Sequence, residues 1–285
     1  MMQVNGATEI YGIMGQPVSH SLSPAMHNAV FQQLGLNKIY VPFAVDQVAM
    51  ALDGFRALGV RGVSVTIPHK QAAIPFLDFI DPVAEKIGAV NTLVLAGEKI
   101  RGYNTDWLGA NMALAGVMVN KSASKKFLTG KQVLILGAGG SARAVGFGII
   151  EAGGIPILAS RTPARGQELS RDLACEWVPL SEVQGVQADA LVNATSVGMT
   201  PKVDQTPLPQ AVLKNFPVVM DIVYSPRETR LLREAKAAGC LAINGEAMLL
   251  FQAVHQFELW VPDCGKELSE IAEIMRQALP DQPLK

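Results

Sequence analysis

Apolar and polar positions along the front of the chain alternate between two spacings. Short β-branched runs with period-two spacing predict strands, and apolar positions three or four residues apart predict helices. Strands are expected at 10–15, 40–45 and 62–67, followed by a hairpin of 90–96 and 100–103 around a Gly-Glu turn. Helices are expected at 24–34, 48–58, 70–79 and 106–115. Strands that alternate with helices predict an α/β fold with a mainly parallel sheet.

A polar segment at 120–126 predicts a loop, after which the alternation starts afresh. Strands are expected at 133–136, 155–160, 175–179, 190–193, 218–223 and 241–243. Two tail helices, at 247–260 and 268–279, follow after these strands, and we expect them to return to the first domain and leave a cleft between the two domains. The predicted domains are therefore 1–106 plus 246–285, and 107–245.

A glycine-rich turn joins the first strand of the second series to a helix-like run. Its order of strand, glycine turn and helix is typical of a dinucleotide-binding, Rossmann-type domain. The first glycine permits a tight turn, the second lets the backbone approach a pyrophosphate, and the small alanine allows close packing of helix on strand. The helix N-terminus offers N–H groups and a positive dipole end to the phosphates. The turn consists of Gly137, Ala138, Gly139, Gly140, Ser141 and Ala142.

The end of the next strand indicates which dinucleotide is bound. An NAD site usually has a carboxylate there for the ribose 2′-hydroxyl, whereas this chain has Ser160, Arg161 and Thr162, followed by Arg165. Guanidinium groups suit a 2′-phosphate, so this spacing favours NADP over the alternative that both arginines are only solvated. The loop at 193–199, with Thr195, lies at another strand end, where open α/β sheets bind ligands.

The composition narrows the classes of protein to which the chain could belong. The 285 residues are 49% hydrophobic and 17% charged, with a net charge of −1 and no long run of one sign, which argues against a nucleic-acid or acidic-membrane partner. The first residues lack the basic start and apolar stretch of a secretory signal. Three scattered cysteines show neither a disulfide framework nor metal-ligand spacing. We expect a cytoplasmic protein without a metal.

Several strand ends of the first domain carry polar residues. Each alone has an ordinary structural interpretation, such as helix capping by serine, a solvated lysine, or an aspartate favoured by a helix dipole. Together they form a set of donors and acceptors, and a lysine with an aspartate suits proton transfer to or from a hydroxyl beside a hydride transfer. The set consists of Ser21, Ser23, Thr66, Lys70, Asn91 and Asp106.

A series of short motifs runs along nearly the whole chain: Ser21-Leu22-Ser23-Pro24, Val65-Thr66-Ile67-Pro68-His69-Lys70, Gly88-Ala89-Val90-Asn91-Thr92, Gly102-Tyr103-Asn104-Thr105-Asp106, the glycine turn, Ser160-Arg161-Thr162, Asn193-Ala194-Thr195-Ser196, Asp221-Ile222-Val223-Tyr224-Ser225-Pro226, Met248-Leu249 and Gln252-Ala253. In these motifs and in their order, the sequence resembles the shikimate dehydrogenase family.

The resemblance implies reduction of 3-dehydroshikimate to shikimate with NADPH, on the route to aromatic amino acids. It implies that Lys70 is the general acid/base with Asp106 as its partner. The substrate would be held by Ser21, Ser23, Thr66, Asn91, Asp106 and Gln252, with Tyr224 nearby. The cofactor would be lined by the glycine turn, the 160–165 loop, Ile222 and Gly245, with Met248 near the nicotinamide.

The chain departs from the family pattern at three places. Family members commonly have Asn where Ser64 stands and where Ser160 stands, and a second glycine before Met248. Two alternatives stay open: a quinate/shikimate dehydrogenase of broader substrate and cofactor range, and a non-catalytic binding protein on the same scaffold. The partners would be small molecules, and the protein a monomer or a homodimer.

Overall fold

The computed structural model of the protein describes residues 4–118 and 126–280. The chain divides into two compact units, Met1–Thr105 with Gln252–Lys285, and Asp106–Phe251. The loop expected at 120–126 lies outside the described residues except for Lys126. The expected domain limits, at 106/107 and 245/246, stay predictions, because compactness alone assigns no function to either unit.

The regular elements follow the predicted alternation of strands and helices. The strands are β1 (Glu9–Gly15), β2 (Lys38–Ala44), β3 (Gly62–Val65), β4 (Phe79–Ile80), β5 (Thr92–Ala96), β6 (Lys99–Tyr103), β7 (Gln132–Leu136), β8 (Ile155–Ser160), β9 (Glu176–Pro179), β10 (Ala190–Asn193), β11 (Val218–Asp221) and β12 (Leu241–Ile243). The helices are α1 (Ser23–Gln33), α2 (Val48–Ala57), α3 (Pro82–Ile87), α4 (Asp106–Met118), α5 (Gly140–Glu151), α6 (Pro163–Asp172), α7 (Gln210–Leu213), α8 (Arg230–Ala237), α9 (Gly245–Trp260) and α10 (Leu268–Gln277).

The first unit is built on a sheet with the strand order β2-β1-β3-β5-β6-β4. Strand β1 pairs in parallel with β2 and β3, and β4 pairs in parallel with β6. The predicted hairpin is confirmed as β5 and β6, and β5 also runs antiparallel to β3. The sheet is therefore mainly parallel, and the ends of β1 and β3 meet at one edge.

The prediction of a helix at 70–79 is wrong. These residues form turns, a single 3₁₀ turn at Ile74–Phe76 and the short strand β4. Pro75 explains the difference, since it has no N–H to donate and its ring clashes with a preceding helical turn. The structure also contains α3, which begins after Asp81, whose carboxylate accepts the N–H groups of Val83 and Ala84 at 2.9 and 3.4 Å.

The second unit is a doubly wound sheet. Its strands are all parallel, in the order β12-β11-β10-β7-β8-β9. The order reverses between β7 and β10, and ligands of such sheets bind at that reversal, outside the carboxyl ends of the strands. Strand β7 is buried on both faces, because Val133 and Ile135 pack into one core and Leu134 and Leu136 into the other.

The tail belongs partly to each unit. Helix α9 starts in the second unit, and from Gln252 onwards the tail belongs to the first, where α10 packs on α1. The Trp260 side chain donates a hydrogen bond to the Leu93 carbonyl at 2.9 Å, which fixes α9 against β5. Within residues 4–118 and 126–280, no helix combines the length and the apolar character needed to span a bilayer.

Candidate active site

The loop before α1 carries the two predicted serines. Both are buried, and the Ser21 hydroxyl accepts the backbone N–H of Ser23 at 3.3 Å. The N-cap position is occupied by Leu22, whose side chain caps nothing. The capping interpretation therefore accounts for Ser21 in part, while the Ser23 hydroxyl has no hydrogen bond to another residue of the described ranges.

The turn after β3 holds Thr66 and Lys70 at the sheet edge. The Thr66 N–H donates to the Met14 carbonyl at the end of β1, at 3.0 Å. His69 is buried, and its Nε2 donates to the Val45 carbonyl at 2.7 Å, because a carbonyl can only accept. The Lys70 carbonyl accepts the N–H of Val90 at 2.8 Å. The backbone on both sides of the Lys70 side chain is thus held in place.

Asn91 stands just before β5 and is fixed through both ends of its amide. Its Oδ1 accepts the Thr105 N–H at 2.8 Å and the Thr92 hydroxyl at 2.7 Å. Its Nδ2 lies 3.0 Å from Thr105 Oγ1 and 3.4 Å from Gln252 Oε1. The structure therefore brings together two of the predicted substrate residues, Asn91 and Gln252, in the first unit.

The predicted substrate residues are divided between the two units. Ser21, Ser23, Thr66, Lys70, Asn91 and Gln252 belong to the first unit. Asp106 and Tyr224 belong to the second, where Asp106 is the first residue of α4 and lies at the positive end of that helix dipole.

The glycine turn between β7 and α5 has the geometry expected of a phosphate-binding turn. Gly137 has φ +118°, and a Cβ there would lie 3.1 Å from the Ala194 carbonyl oxygen and 3.2 Å from Thr195 Cγ2. The N-cap of α5 is Gly139, which offers no side-chain cap to the helix N–H groups. Ala142 is fully buried in the core beside β7. The residues of this turn are thus placed to let a phosphate meet a helix N-terminus.

The loop after β8 and the first turn of α6 carry the two arginines, Arg161 and Arg165. The Ser160 hydroxyl donates to the Thr162 carbonyl at 3.1 Å and accepts the Trp177 indole N–H at 3.0 Å, which fixes the loop. Arg161 and Arg165 are exposed, and neither forms an ion pair with another residue in the described part of the chain. Their guanidinium groups are accordingly available to an anion.

A buried polar group joins the ends of β10 and β11. The Asp221 carboxylate accepts the Asn193 amide at 2.9 Å, the Val223 N–H at 3.0 Å and the Thr229 hydroxyl at 2.7 Å. Burial nevertheless raises the pKa of Asp221 to about 6. Asn193 Oδ1 in turn accepts the hydroxyl of Thr195 at 2.7 Å, so the same group holds the predicted cofactor loop.

The start of α9 lies against the end of β11. A Cβ on Gly245 would collide with the Ile222 carbonyl, so only glycine allows this close approach. Met248 is buried in the core that also contains Val133 and Ile135 of β7, and Ile222 packs against that core. The structure therefore brings together three predicted cofactor residues, while Tyr224 follows two residues after Ile222 and is half-buried.

The sequence assigned no role to three polar residues: Asn193 and Asp221, which stand in the quoted motifs, and Gln256, whose side chain bonds to Ser64, Asn91 and Thr92. Asn193 and Asp221 are register partners at the ends of adjacent parallel strands, and that alignment would have found them. Gln256 follows Gln252 by four residues on α9, so the helical spacing of two glutamines in an apolar helix was the available signal.

These features define a class, that of α/β proteins in which a Rossmann-type unit follows a separate, mainly parallel α/β unit. Within the described ranges, no three His, Cys, Asp or Glu side chains group closely enough to hold a metal ion.

The comparisons with known proteins identify the family. A family model described as the shikimate dehydrogenase substrate binding domain matches residues 13–93. The NADP(+) shikimate dehydrogenase of Moorella thermoacetica is 43% identical over 98% of this chain and 96% of its own length. The chain belongs to the shikimate dehydrogenase family.

Solved structures agree over almost the whole chain. The shikimate dehydrogenase of Aquifex aeolicus has a TM-score of 0.85 and 35% identity, covering 96% of this chain and 100% of that one. The shikimate 5-dehydrogenase of Thermus thermophilus, in complex with NADP(H) and shikimate, has a TM-score of 0.81 and 37% identity, covering 95% and 100%.

Proposed function

We propose that this protein is an NADP-dependent shikimate dehydrogenase, which reversibly reduces 3-dehydroshikimate to shikimate on the route to aromatic amino acids. The observation that carries the proposal is the similarity over almost the full length to NADP(+) shikimate dehydrogenases, with 43% identity to the Moorella thermoacetica enzyme. The relative from Thermus thermophilus, solved with NADP(H) and shikimate, supports the same pair of ligands.

The second unit fits NADP. A positive-φ glycine and an uncapped helix N-terminus offer backbone N–H groups to a pyrophosphate, and the exposed arginines offer charge-assisted hydrogen bonds to a 2′-phosphate. The proposed cofactor residues are Gly137, Ala138, Gly139, Gly140, Ser141, Ser160, Arg161, Thr162, Arg165, Thr195, Ile222, Gly245 and Met248. When bound, the nicotinamide supplies or accepts the hydride.

We assign substrate binding mainly to the first unit. Hydroxyl and amide side chains there can exchange hydrogen bonds with the ring hydroxyls of shikimate, and their fixed backbone limits the entropy lost on binding. The proposed set is Ser21, Ser23, Thr66, Lys70, Asn91, Asp106, Tyr224 and Gln252.

Lys70 moves the proton in this proposal. During reduction, Lys70 donates a proton to the carbonyl oxygen of 3-dehydroshikimate while the carbonyl carbon receives the hydride, and a hydroxyl results. In the reverse direction Lys70 accepts the hydroxyl proton as the hydride leaves the carbon. Asp106 is the proposed partner of Lys70, as the family resemblance implies. The proposal includes three further predictions: a cytoplasmic location, a monomeric or homodimeric state, and the limits of the two functional domains.

The test is a steady-state assay of shikimate and quinate, each with NADP and with NAD. We expect the highest kcat/KM for shikimate with NADP. Equal use of quinate would instead support a quinate/shikimate dehydrogenase, and the absence of turnover with all four pairs would support a binding protein.

The Lys70→Ala variant tests the proton transfer. Removal of a general acid/base should lower kcat by about a hundredfold while the KM for shikimate changes little. Lys86→Ala is the matched control, because Lys86 is exposed on α3 of the same unit. Near-normal turnover in Lys70→Ala would refute the assignment of Lys70.

A further inference from the structure

Gln256 is a fully buried amide on α9 that is not among the residues assigned above. Its side chain is 1% exposed and lies one helical turn after Gln252. Its Oε1 accepts the Ser64 hydroxyl at 2.8 Å, and its Nε2 donates to the Asn91 carbonyl at 3.0 Å and to Thr92 Oγ1 at 3.1 Å. Every one of these contacts is internal to the first unit.

The orientation of the Gln256 amide is determined by its partners. A backbone carbonyl only accepts, so the Nε2 group must face the carbonyl of Asn91 and Oε1 must face Ser64. Ser64 can donate to that oxygen because its own oxygen accepts the Tyr40 hydroxyl at 2.6 Å. A buried amide with all its strong partners present is costly to rotate, because rotation would leave donors and acceptors unpaired.

The same argument from donors and acceptors fixes the orientation of the Asn91 side-chain amide. Thr92 Oγ1 accepts from Gln256, so its single hydrogen is directed to Asn91 Oδ1 at 2.7 Å. The Thr105 N–H holds the same oxygen at 2.8 Å. The Asn91 Nδ2 group must then face the other way, towards Thr105 Oγ1 at 3.0 Å and Gln252 Oε1 at 3.4 Å. The Asn91 side chain therefore offers N–H groups, and not its carbonyl, on the Gln252 side.

We propose that Gln256 is a positioning residue for the substrate site, which acts through Thr92 to hold the Asn91 amide with its N–H groups directed towards Gln252 and the substrate hydroxyls. This inference rests on the proposed function, in which Asn91 and Gln252 bind shikimate. Gln256 takes no part in proton or hydride transfer, so its effect falls on substrate binding and on the choice among polyol substrates.

Two variants interrupt the relay at different points. Gln256→Leu removes both donated hydrogen bonds, and Thr92→Val removes the hydroxyl between Gln256 and Asn91. Each should raise the KM for shikimate about tenfold, the effect of losing a buried hydrogen bond, while the KM for NADP and kcat stay within about twofold. The double variant should be no worse than the worse single variant, because both changes interrupt one path.

Trp260→Phe is the matched control for a merely structural effect. Trp260 lies one turn beyond Gln256 on α9, is buried, and also donates a side-chain hydrogen bond to β5, at the Leu93 carbonyl. Loss of this hydrogen bond in Trp260→Phe should lower the thermal midpoint of unfolding, as Gln256→Leu does. It should leave the KM for shikimate within about twofold of the wild-type value.

The outcomes separate the inference from the proposed function. An unchanged KM for shikimate in both relay variants overturns the inference while the wild-type enzyme still turns over shikimate. An equal rise in the KM for NADP, or the same rise in Trp260→Phe, also overturns it. Should Gln256→Leu not fold, Thr92→Val decides alone. A wild-type protein without shikimate turnover overturns the proposed function and the inference together.

Discussion

In the proposed function, the preference for NADP over NAD depends on Arg161 and Arg165. Both are exposed on the loop after β8 and the start of α6. Arg161→Ala should raise the KM for NADPH by roughly 10- to 100-fold, because a charge-assisted hydrogen bond to the 2′-phosphate is lost. The KM for NADH, which has no 2′-phosphate, should stay nearly constant. Steady-state kinetics with both cofactors measures the difference.

The control for this prediction is Arg171→Ala. Arg171 is exposed in the last turn of α6, where its side chain contacts the Gln167 carbonyl at 3.3 Å. It carries the same charge as Arg161 and lies at the other end of the helix that follows the Arg161 loop, away from the predicted phosphate site. An equal rise in both KM values, or the same effect from Arg171→Ala, would remove the argument for the 2′-phosphate.

Ser64 shows what the sequence could predict for a single residue and what it could not. The resemblance marked Ser64 as a departure from the family pattern, and the structure shows the hydroxyl between Tyr40 and Gln256. Those two partners are 24 and 192 residues away along the chain, so no local pattern connects them with Ser64. The short-range motifs could be predicted, whereas the long-range hydrogen bonds that orient them required the fold.

At the scale of elements, the sequence predicted best where spacing and turn residues agree. The hairpin of β5 and β6 was predicted because Gly97 takes the positive φ that its turn requires. The helix expected at 70–79 failed because its apolar spacing contains Pro75. The short helix α3 escaped prediction although Asp81 and Gly88 mark its ends, since six residues are too few for a clear period.

The glycine turn between β7 and α5 allows a prediction that separates the stability of the protein from its binding of the cofactor. Gly139 has ordinary extended backbone angles, and a Cβ there would meet nothing within 4 Å. Gly139→Ala should therefore change the free energy of unfolding by less than about 0.5 kcal/mol. It should nevertheless raise the KM for NADP at least tenfold, because the added methyl group occupies the place where the backbone approaches the pyrophosphate. Denaturant unfolding and steady-state kinetics measure the two effects.

Gly137→Ala provides the contrast within the same turn. Gly137 has φ +118°, and an added Cβ would press on the Ala194 carbonyl, so this change should destabilise the protein by about 1–3 kcal/mol. Equal destabilisation by Gly139→Ala and Gly137→Ala would contradict the stability prediction. An unchanged KM for NADP in Gly139→Ala would show that the turn does not bind the phosphates as proposed.

At the scale of the whole molecule, two buried titratable groups give stability opposite dependences on pH. His27 is fully buried, stacks on Tyr40 with ring centroids 4.5 Å apart, and burial lowers its pKa to about 3, an effect that the neighbouring Gln256 side chain only partly offsets. Below about pH 6.5 the unfolded chain binds a proton at His27, whereas the folded protein does not bind one until the pH approaches 3. The contribution of His27 to the free energy of unfolding is therefore lost as the pH falls from 6.5 towards 3. Burial raises the pKa of Asp221 from 3.8 to about 6. The Asp221 contribution is therefore present below pH 3.8 and is lost as the pH rises through 6.

Between about pH 4 and pH 6 the two contributions change in opposite directions, each by about 1 kcal/mol per pH unit, so they largely cancel in the wild-type protein. Asp221→Asn removes one of them and keeps the acceptor for Asn193, because the amide oxygen replaces Oδ1 and the amide N–H₂ can donate to the Thr229 hydroxyl. Relative to wild type, the free energy of unfolding of Asp221→Asn should rise with pH across this window, and that of His27→Phe should fall. The double variant should again follow the wild-type profile, because the two residues belong to different units and their effects add. Urea unfolding at pH 4, 5 and 6 measures all four profiles, and parallel profiles for the wild type and both single variants would show that neither group titrates as its burial requires.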